Sequence, residues 1–316
     1  MCGDGANDCA ALKQADVGIS LSQAEASIAA PFTCSIPNIE CVPTLLREGK
    51  ASLATAFQIA KFTISYAMIQ YFQIILLYYI GMSMTTNGFI YEDVVALIPF
   101  AIFQSFTGAY PKLNKRLPTE SLFYLPELLS IGLQILIMWG VQVGLYVGVK
   151  NQPWYRPPYN DGGESIQDQN WVSYEYSVLW KIANFQFITS VLIFNTGPPF
   201  RAPVYTNIPF TLCLIVVFAL NLVFIFKTDP NKSNFVYKLF FLLDYVDPKG
   251  VEYYSFRWIL FGIIVGQVFA NAIIELLFVR RITRFFDEKN ERKNIELFEK
   301  TMEHLSKNKK DWNSIL

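Results

Sequence analysis

The sequence is short of histidine, of paired cysteines and of charge, and each shortage excludes a class of protein. A single histidine, His304, argues against histidine catalysis and against histidine metal sites. The five cysteines show no metal or disulfide spacing, which favours reduced thiols. Only 16% of the 316 residues are charged, whereas a soluble domain carries about a quarter. Because 26 basic residues balance 26 acidic ones, no general attraction to nucleic acid is implied.

Long apolar runs take the place of the missing charge. A membrane-spanning helix needs roughly 20 mainly apolar residues, and six segments reach or approach that length: 62–80, 89–110, 128–149, 176–195, 208–226 and 256–279. Six spans place both chain ends on one side of the bilayer. Basic residues after the second and sixth spans indicate that this side is cytosolic: Lys112, Lys115, Arg116, Arg280, Arg281 and Arg284. We therefore predict a multi-pass helical bundle in a lipid bilayer.

The first twenty residues have a different character, with two acids in a glycine-rich turn. Asp4 and Asp8 would repel each other unless a cation lay between them, and Mg²⁺ prefers such oxygen ligands. Gly3 and Gly5 allow the backbone to turn sharply beside a phosphate. A helix at 10–15 and a short strand at 17–20 follow, which is half of an α/β phosphate-handling unit. We expect the strand that should present Asp4 to be missing, because it would lie before the first residue.

These residues carry a family resemblance. The run Gly3-Asp4-Gly5-Ala6-Asn7-Asp8, followed by Ala11-Leu12-Lys13 and Val17-Gly18-Ile19, resembles the hinge motif of P-type ATPases. Further runs are similar to the fifth class of these pumps, subgroup B, the polyamine-transporting and 13A-like cation-transporting ATPases: Ser22–Ser27, Pro31–Thr33, Ile36–Pro43, Arg47–Gly49, Tyr66–Tyr71, Ala109–Leu113 and Gln152–Tyr155.

The resemblance implies a domain organisation. Residues 1–46 would be the C-terminal remnant of a HAD-like α/β phosphorylation domain and residues 47–61 a stalk helix. Residues 62–281 would form the last six spans of the family's ten, followed by a cytosolic amphipathic tail at 282–316. The chain would be a C-terminal fragment whose partner is the N-terminal part of the same pump. Alone, it should be inactive, because the phosphorylated aspartate and the site for the cofactor ATP would precede it.

The resemblance also assigns roles to the hinge residues. In the intact family an aspartate is phosphorylated by ATP and the phosphate is later released by hydrolysis. Asp4 matches the ligand of the Mg²⁺ cofactor, Asp8 the supporting acid and Asn7 a hydrogen-bonding group on the phosphate side. Residence in a late endosome, a lysosome or a vacuole is implied in the same way.

Polar residues in the first two spans are the candidates for substrate binding. A charged side chain at the bilayer centre costs about 2.5–3.5 kcal/mol on insertion scales, so it usually has a task or a partner. Asp93 and Gln104, eleven residues apart, fall on nearly one face of a regular helix. Tyr66, Gln70 and Gln73 form a stripe at i, i+4 and i+7. Asp93, Tyr66 and Gln70 also match substrate-pathway positions of the family.

This set of groups favours an organic cation. A polyamine is a chain of ammonium groups, which suits one acid, amide oxygens and aromatic faces, whereas Ca²⁺ needs 6–8 oxygen ligands. We expect Glu92 to lie at the outer interface. Hydrogen bonding between helices explains the stripe of Gln267, Asn271 and Glu275 better than transport does. A dislocase of membrane helices from subgroup A and a non-catalytic truncated membrane protein are the alternatives.

Overall fold

The computed structural model describes residues 1–21, 28–36, 38–114, 118, 121–158, 171–226, 239–243, 245, 253–286, 288–289, 295–297, 299–300 and 302–303. The chain divides into two compact units. The first comprises Met1–Phe62, Ile98–Thr119 and Phe194–Val216, and the second comprises Thr63–Leu97, Glu120–Ile193 and Val217–Leu316. Each unit is described by itself.

The first unit begins with a small parallel sheet. Strands β1 (Cys2–Gly3), β2 (Ile19–Ser20) and β3 (Phe32–Thr33) lie in that order, with Cys2 opposite Ile19 and Ile19 opposite Phe32. Helix α1 (Cys9–Gln14) connects β1 to β2 and buries Leu12. The expectation that no strand presents Asp4 was therefore wrong, because β1 ends at the residue before it. The two residues Cys2 and Gly3 are enough to pair with β2.

Helix α2 (Cys41–Tyr78) is one uninterrupted helix of 38 residues. At about 1.5 Å per residue it is roughly 57 Å long, well beyond the thickness of a hydrocarbon core. It contains both the predicted stalk at 47–61 and nearly all of the predicted first span, with no break at their boundary. Pro43 lies in its first turn, where the ring's fixed φ and missing N–H are tolerated.

Five further long helices follow in the described part of the chain. Helix α3 (Thr86–Ser105) is α-helical at Thr86–Ile90 and Ile98–Ser105, with a π-helical segment at Tyr91–Leu97 between them. Helix α4 covers Leu125–Lys150, α5 covers Tyr174–Ile193 and α6 covers Ile208–Phe226. Helix α7 (Tyr254–Phe286) also changes to π-helix, at Ile274–Val279.

Helix α5 is the centre of the second unit. Every residue from Tyr174 to Val191 is buried, and the helix packs against α4, α7 and the π-helical segment of α3. Two aromatic-rich clusters enclose it, one around Trp154 and Tyr245 and the other around Trp180 and Phe240. A helix that is covered on all sides can carry polar residues on every face, because none of them has to meet lipid.

The predicted membrane bundle is confirmed, with a difference in the number of apolar helices. In the part of the chain that the structure describes, five helices are long and apolar enough to span a bilayer: α2, α3, α4, α6 and α7. The predicted fourth span at 176–195 forms α5, whose Lys181, Asn184 and Gln186 make it less apolar than the others.

The predicted tail is only partly described. Helix α7 continues to Phe286, so the tail begins as a helical extension. Of the stripe expected to dock on the protein, Ile295 and Met302 are exposed. Phe298 and Leu305 lie outside the described residues, as does His304.

Candidate transport and phosphoryl-transfer sites

The acidic hinge follows the end of β1. The carboxylate of Asp8 turns back, and its Oδ2 accepts hydrogen bonds from the backbone N–H groups of Asp4 (3.1 Å) and Gly5 (3.4 Å). A Cβ at Gly3 would lie 2.6 Å from this oxygen, so only glycine fits there. Asp4 and Asn7 are exposed. The structure thus brings the three predicted hinge residues together within one turn.

The hinge fits a magnesium ion. Mg²⁺ in phosphoryl-transfer sites is usually held by one or two carboxylates, with waters and substrate phosphates completing the octahedron. Asp4 and Asp8 supply two carboxylates at the carboxyl edge of a parallel sheet, where exposed loops commonly bind phosphate-bearing ligands. Because Asp8 is partly occupied in fixing the turn, Asp4 is the better placed of the two to contact an ion from solvent.

In the second unit, α2 and the π-helical segment of α3 form an acidic cluster of four residues. The Tyr66 hydroxyl donates a hydrogen bond to Oδ1 of Asp93. The Gln70 amide donates to the Tyr66 hydroxyl and to Oε2 of Glu92, at 3.0 Å in each case. One turn of α2 therefore holds two neighbouring carboxylates of α3. Tyr66, Gln70 and Asp93, singled out from the sequence, lie together here.

Glu92 is the member of the acidic cluster that sequence reasoning missed. It was expected at the outer interface, but its side chain is completely buried. Its Oε1 atom has no hydrogen-bond partner in the structure. Among the described residues, no lysine or arginine forms an ion pair with Glu92 or Asp93. Within the described part of the chain, the two acids therefore have no basic ion-pair partner, which is costly in a bundle unless a ligand compensates.

Gln73 continues the α2 stripe but makes a different contact. Its amide nitrogen lies 3.0 Å from the Met84 sulfur, and its buried Oε1 has no partner. The Gln73 Oε1 atom is thus a buried acceptor in addition to Glu92 Oε1, and it lies on the α2 stripe that includes Tyr66 and Gln70. An aromatic face completes the surroundings of the cluster, because the Tyr66 ring packs on Phe187 with centroids 4.6 Å apart.

Gln104 lies in the first unit, in a network around Arg201. Its Oε1 accepts a hydrogen bond of 2.8 Å from Gln58, and its backbone carbonyl accepts one from the Arg201 guanidinium. Arg201 also donates to Gln58 Oε1, which accepts the backbone N–H of Thr196 at 2.9 Å as well. Burial lowers the pKa of the Arg201 guanidinium to about 10, which leaves it charged at neutral pH.

The predicted common face of Asp93 and Gln104 depends on the type of helix between them. The prediction that Asp93 and Gln104 share a face assumed a regular α-helix. A π-helical segment holds more residues per turn, so the periodicity that the prediction used does not apply across Tyr91–Leu97. Neither the π-helix nor the buried Arg201 has a signal in the residue pattern, although the polar interruption at Glu92 and Asp93 pointed to the right place.

Comparisons with known proteins agree with the resemblance. No family model matches the chain. The human protein named Probable cation-transporting ATPase 13A4 is 39% identical over 249 residues, which are 73% of this chain and 21% of the relative. The human Polyamine-transporting ATPase 13A2 is 41% identical over 217 residues, 69% of this chain and 18% of the relative.

A third relative is the Vacuolar cation-transporting ATPase YPK9 of Saccharomyces cerevisiae, 38% identical over 215 residues, with 68% of this chain and 14% of the relative covered. The chain thus spans between 14% and 21% of the length of these curated relatives. Identity at this level extends over most of the chain and is shared by relatives from distant organisms. The chain belongs to the 13A-type family of cation-transporting P-type ATPases.

Proposed function

We propose that this chain is the membrane portion and hinge of an ATP-driven pump that moves polyamines or related organic cations from the lumen of an acidic organelle to the cytosol. The observation that supports this most directly is the acidic cluster of Tyr66, Gln70, Glu92 and Asp93. It contains two carboxylates, one of which has a buried oxygen without a partner (Glu92 Oε1), and lacks a described basic partner. An ammonium group would supply both the missing charge and the missing donor.

The chemistry of the cluster suits an organic cation better than a hard metal ion. A primary ammonium has three N–H donors, and the cluster offers Glu92 Oε1 and the Asp93 carboxylate as acceptors. The ring of Tyr66 provides an apolar, electron-rich face for the adjoining methylenes. Ca²⁺ requires 6–8 oxygen ligands. Among the described residues no three acidic, cysteine or histidine side chains are grouped closely enough to hold a metal.

The hinge would serve the phosphoryl-transfer half of the same cycle. Bound Mg²⁺ would neutralise negative charge on the transferred phosphoryl group. Asp4 would hold the ion, Asp8 would fix the turn that carries Asp4, and Asn7 would donate a hydrogen bond on the phosphate side. The phosphorylated aspartate and the nucleotide site are proposed to lie in the other parts of the pump, as the family implies.

The proposed direction and location rest on the family. Two relatives are named as a polyamine-transporting and a vacuolar cation-transporting ATPase, and an acidic lumen keeps polyamines protonated. A multi-pass protein of a late endosome, lysosome or vacuole is consistent with these names and with an acidic lumen.

Spermine binding and ATP turnover by the complete pump test the proposal. Replacing Asp93 by asparagine removes one charge with almost no change of volume. Because hydrogen bonds to charged groups contribute about 1.5–3 kcal/mol, spermine affinity should fall at least about ten-fold. Asp4→Asn should retain spermine binding and lose ATP turnover.

Glu127→Gln, which removes the same charge from the first turn of α4, is the matched control and should bind spermine normally. Unchanged spermine affinity in Asp93→Asn would refute the substrate assignment. Normal ATP turnover in Asp4→Asn would refute the role of the hinge.

A further inference from the structure

A second π-helical segment lies in α7 and, like the first, carries an acid in its first turn. Glu92 is the second residue of the segment Tyr91–Leu97, and Glu275 is the second residue of Ile274–Val279. Single π-helical turns inside α-helices frequently occur at functional sites. The surroundings of Glu275 are distinct from the acidic cluster, because the described hydrogen bonds to its carboxylate come from α4.

Two buried polar residues of α4 hold the Glu275 carboxylate, and one of them also contacts the backbone of Asn271. Its Oε2 accepts hydrogen bonds from the Ser130 hydroxyl (2.9 Å) and from the Gln134 amide (3.1 Å). The same amide nitrogen donates to the backbone carbonyl of Asn271, also at 3.1 Å. Ser130, Gln134 and Asn271 are all at most 1% exposed. We refer to Ser130, Gln134, Asn271 and Glu275 as the α4–α7 cluster.

The α4–α7 cluster is incompletely satisfied. Asn271 is fully buried, and neither its Oδ1 nor its Nδ2 has a hydrogen-bond partner. Gln134 Oε1 has none either. Buried polar side chains in folded proteins nearly always have a partner, and an unsatisfied one calls for an explanation such as a bound water or ion. The stripe of Gln267, Asn271 and Glu275 predicted hydrogen bonding between helices. Such bonding accounts for the donors of Gln134 but leaves Gln134 Oε1 and Asn271 Oδ1 unused.

The charge of the cluster selects among ligands. Among the described residues, no lysine or arginine forms an ion pair with Glu275. A water molecule could fill hydrogen bonds but would leave the negative charge uncompensated. A divalent ion would keep one unit of positive charge uncompensated, because the cluster contains a single carboxylate. The single carboxylate of the cluster balances one positive charge. Its two amide oxygens, its hydroxyl and its backbone carbonyl are oxygen ligands, which suit a metal cation of charge +1.

We propose that the α4–α7 cluster binds one monovalent alkali cation, Na⁺ or K⁺. The carboxylate of Glu275 supplies the charge, and Gln134 Oε1 and Asn271 Oδ1 are the oxygens that turn towards the ion. The site is independent of the proposed polyamine site, since no residue is shared and a different pair of helices forms it.

Thermal unfolding of the complete pump, purified into lipid nanodiscs, tests the site. A ligand that binds only the folded state stabilises it in proportion to the logarithm of its concentration over Kd. Midpoints should rise saturably with NaCl or KCl, by about 3 °C at saturation, and choline chloride at equal ionic strength should not reproduce the rise. Glu275→Gln and Asn271→Leu should each weaken the apparent alkali-ion affinity at least ten-fold.

The controls separate this site from the others. Glu127→Gln removes a charge from α4 outside the cluster, and Asp93→Asn removes one from the acidic cluster, so both should keep the alkali-ion response. An equal rise in choline chloride, or no rise at all, would overturn the proposal without any variant. An alkali-specific rise that persists in both Glu275→Gln and Asn271→Leu would place the ion elsewhere and overturn it too.

Discussion

The acidic cluster and the Arg201 network are built from the same two helices and have opposite chemistry. Helix α2 gives Tyr66 and Gln70 to the cluster but Gln58 to the network. Helix α3 gives Glu92 and Asp93 to the cluster and Gln104 to the network. The unused polar atom of the cluster, Glu92 Oε1, is an acceptor, whereas those of the network, Arg201 Nε and Gln104 Nε2, are donors.

The difference shows which of the two can receive a cation. The spare oxygen of the Glu92 carboxylate, beside the Asp93 carboxylate, attracts an ammonium group. Spare donors beside a buried guanidinium repel one. The guanidinium instead joins α2, the end of α3 and the segment after α5 within the first unit. We infer that the network stabilises the fold, whereas the cluster is maintained for binding, and the two inferences can be tested separately.

The largest expected effect is on stability. Replacing Arg201 by methionine leaves Gln58 Oε1 and the Gln104 carbonyl with fewer donors inside the first unit. Since each buried group left unsatisfied costs about 1–3 kcal/mol, the free energy of unfolding should fall by about 2–4 kcal/mol in denaturant or thermal unfolding. Arg201→Lys, which keeps the charge and some donors, should lose less. If Arg201→Met were as stable as the parent, the network would not be the stabilising element inferred here.

A smaller effect is expected at the phenol of the acidic cluster. Tyr66→Phe removes the hydroxyl that donates to Asp93 and keeps the ring that packs on Phe187. Loss of one hydrogen bond of about 1 kcal/mol should weaken spermine binding three- to ten-fold in equilibrium titrations. Stability should change little, because Asp93 is half-buried and can be hydrated. A large loss of stability with unchanged spermine affinity would instead assign Tyr66 to the scaffold.

The smallest effect on binding is expected at Gln104. Gln104→Leu removes the side-chain acceptor for Gln58 and leaves the carbonyl that receives Arg201. Stability should fall by about 1 kcal/mol, and spermine affinity should stay within about two-fold of the parent. A ten-fold weaker affinity would show that Gln104 belongs with Asp93 after all, as the helical periodicity of the sequence suggests.

The sequence predicts the helices better than it predicts their side-chain partners. Apolar runs of about 20 residues mark the spans, since lipid requires them, and the acids that interrupt the second run mark the candidate site. Periodicity also finds Tyr66 and Gln70 on one face of α2. The phase of Gln104 is lost because α- and π-helical turns do not differ in residue pattern. The burial of Glu92 depends on how α2 packs against α3, which no local pattern records.

Structure determination of the complete pump with spermine tests the central claim most directly. The account predicts an elongated ligand with one ammonium nitrogen within hydrogen-bonding distance of Glu92 Oε1 or the Asp93 carboxylate, and methylenes against the Tyr66 ring. Spermine bound at another set of residues, with the hydrogen bonds among Tyr66, Gln70, Glu92 and Asp93 unchanged, would contradict it.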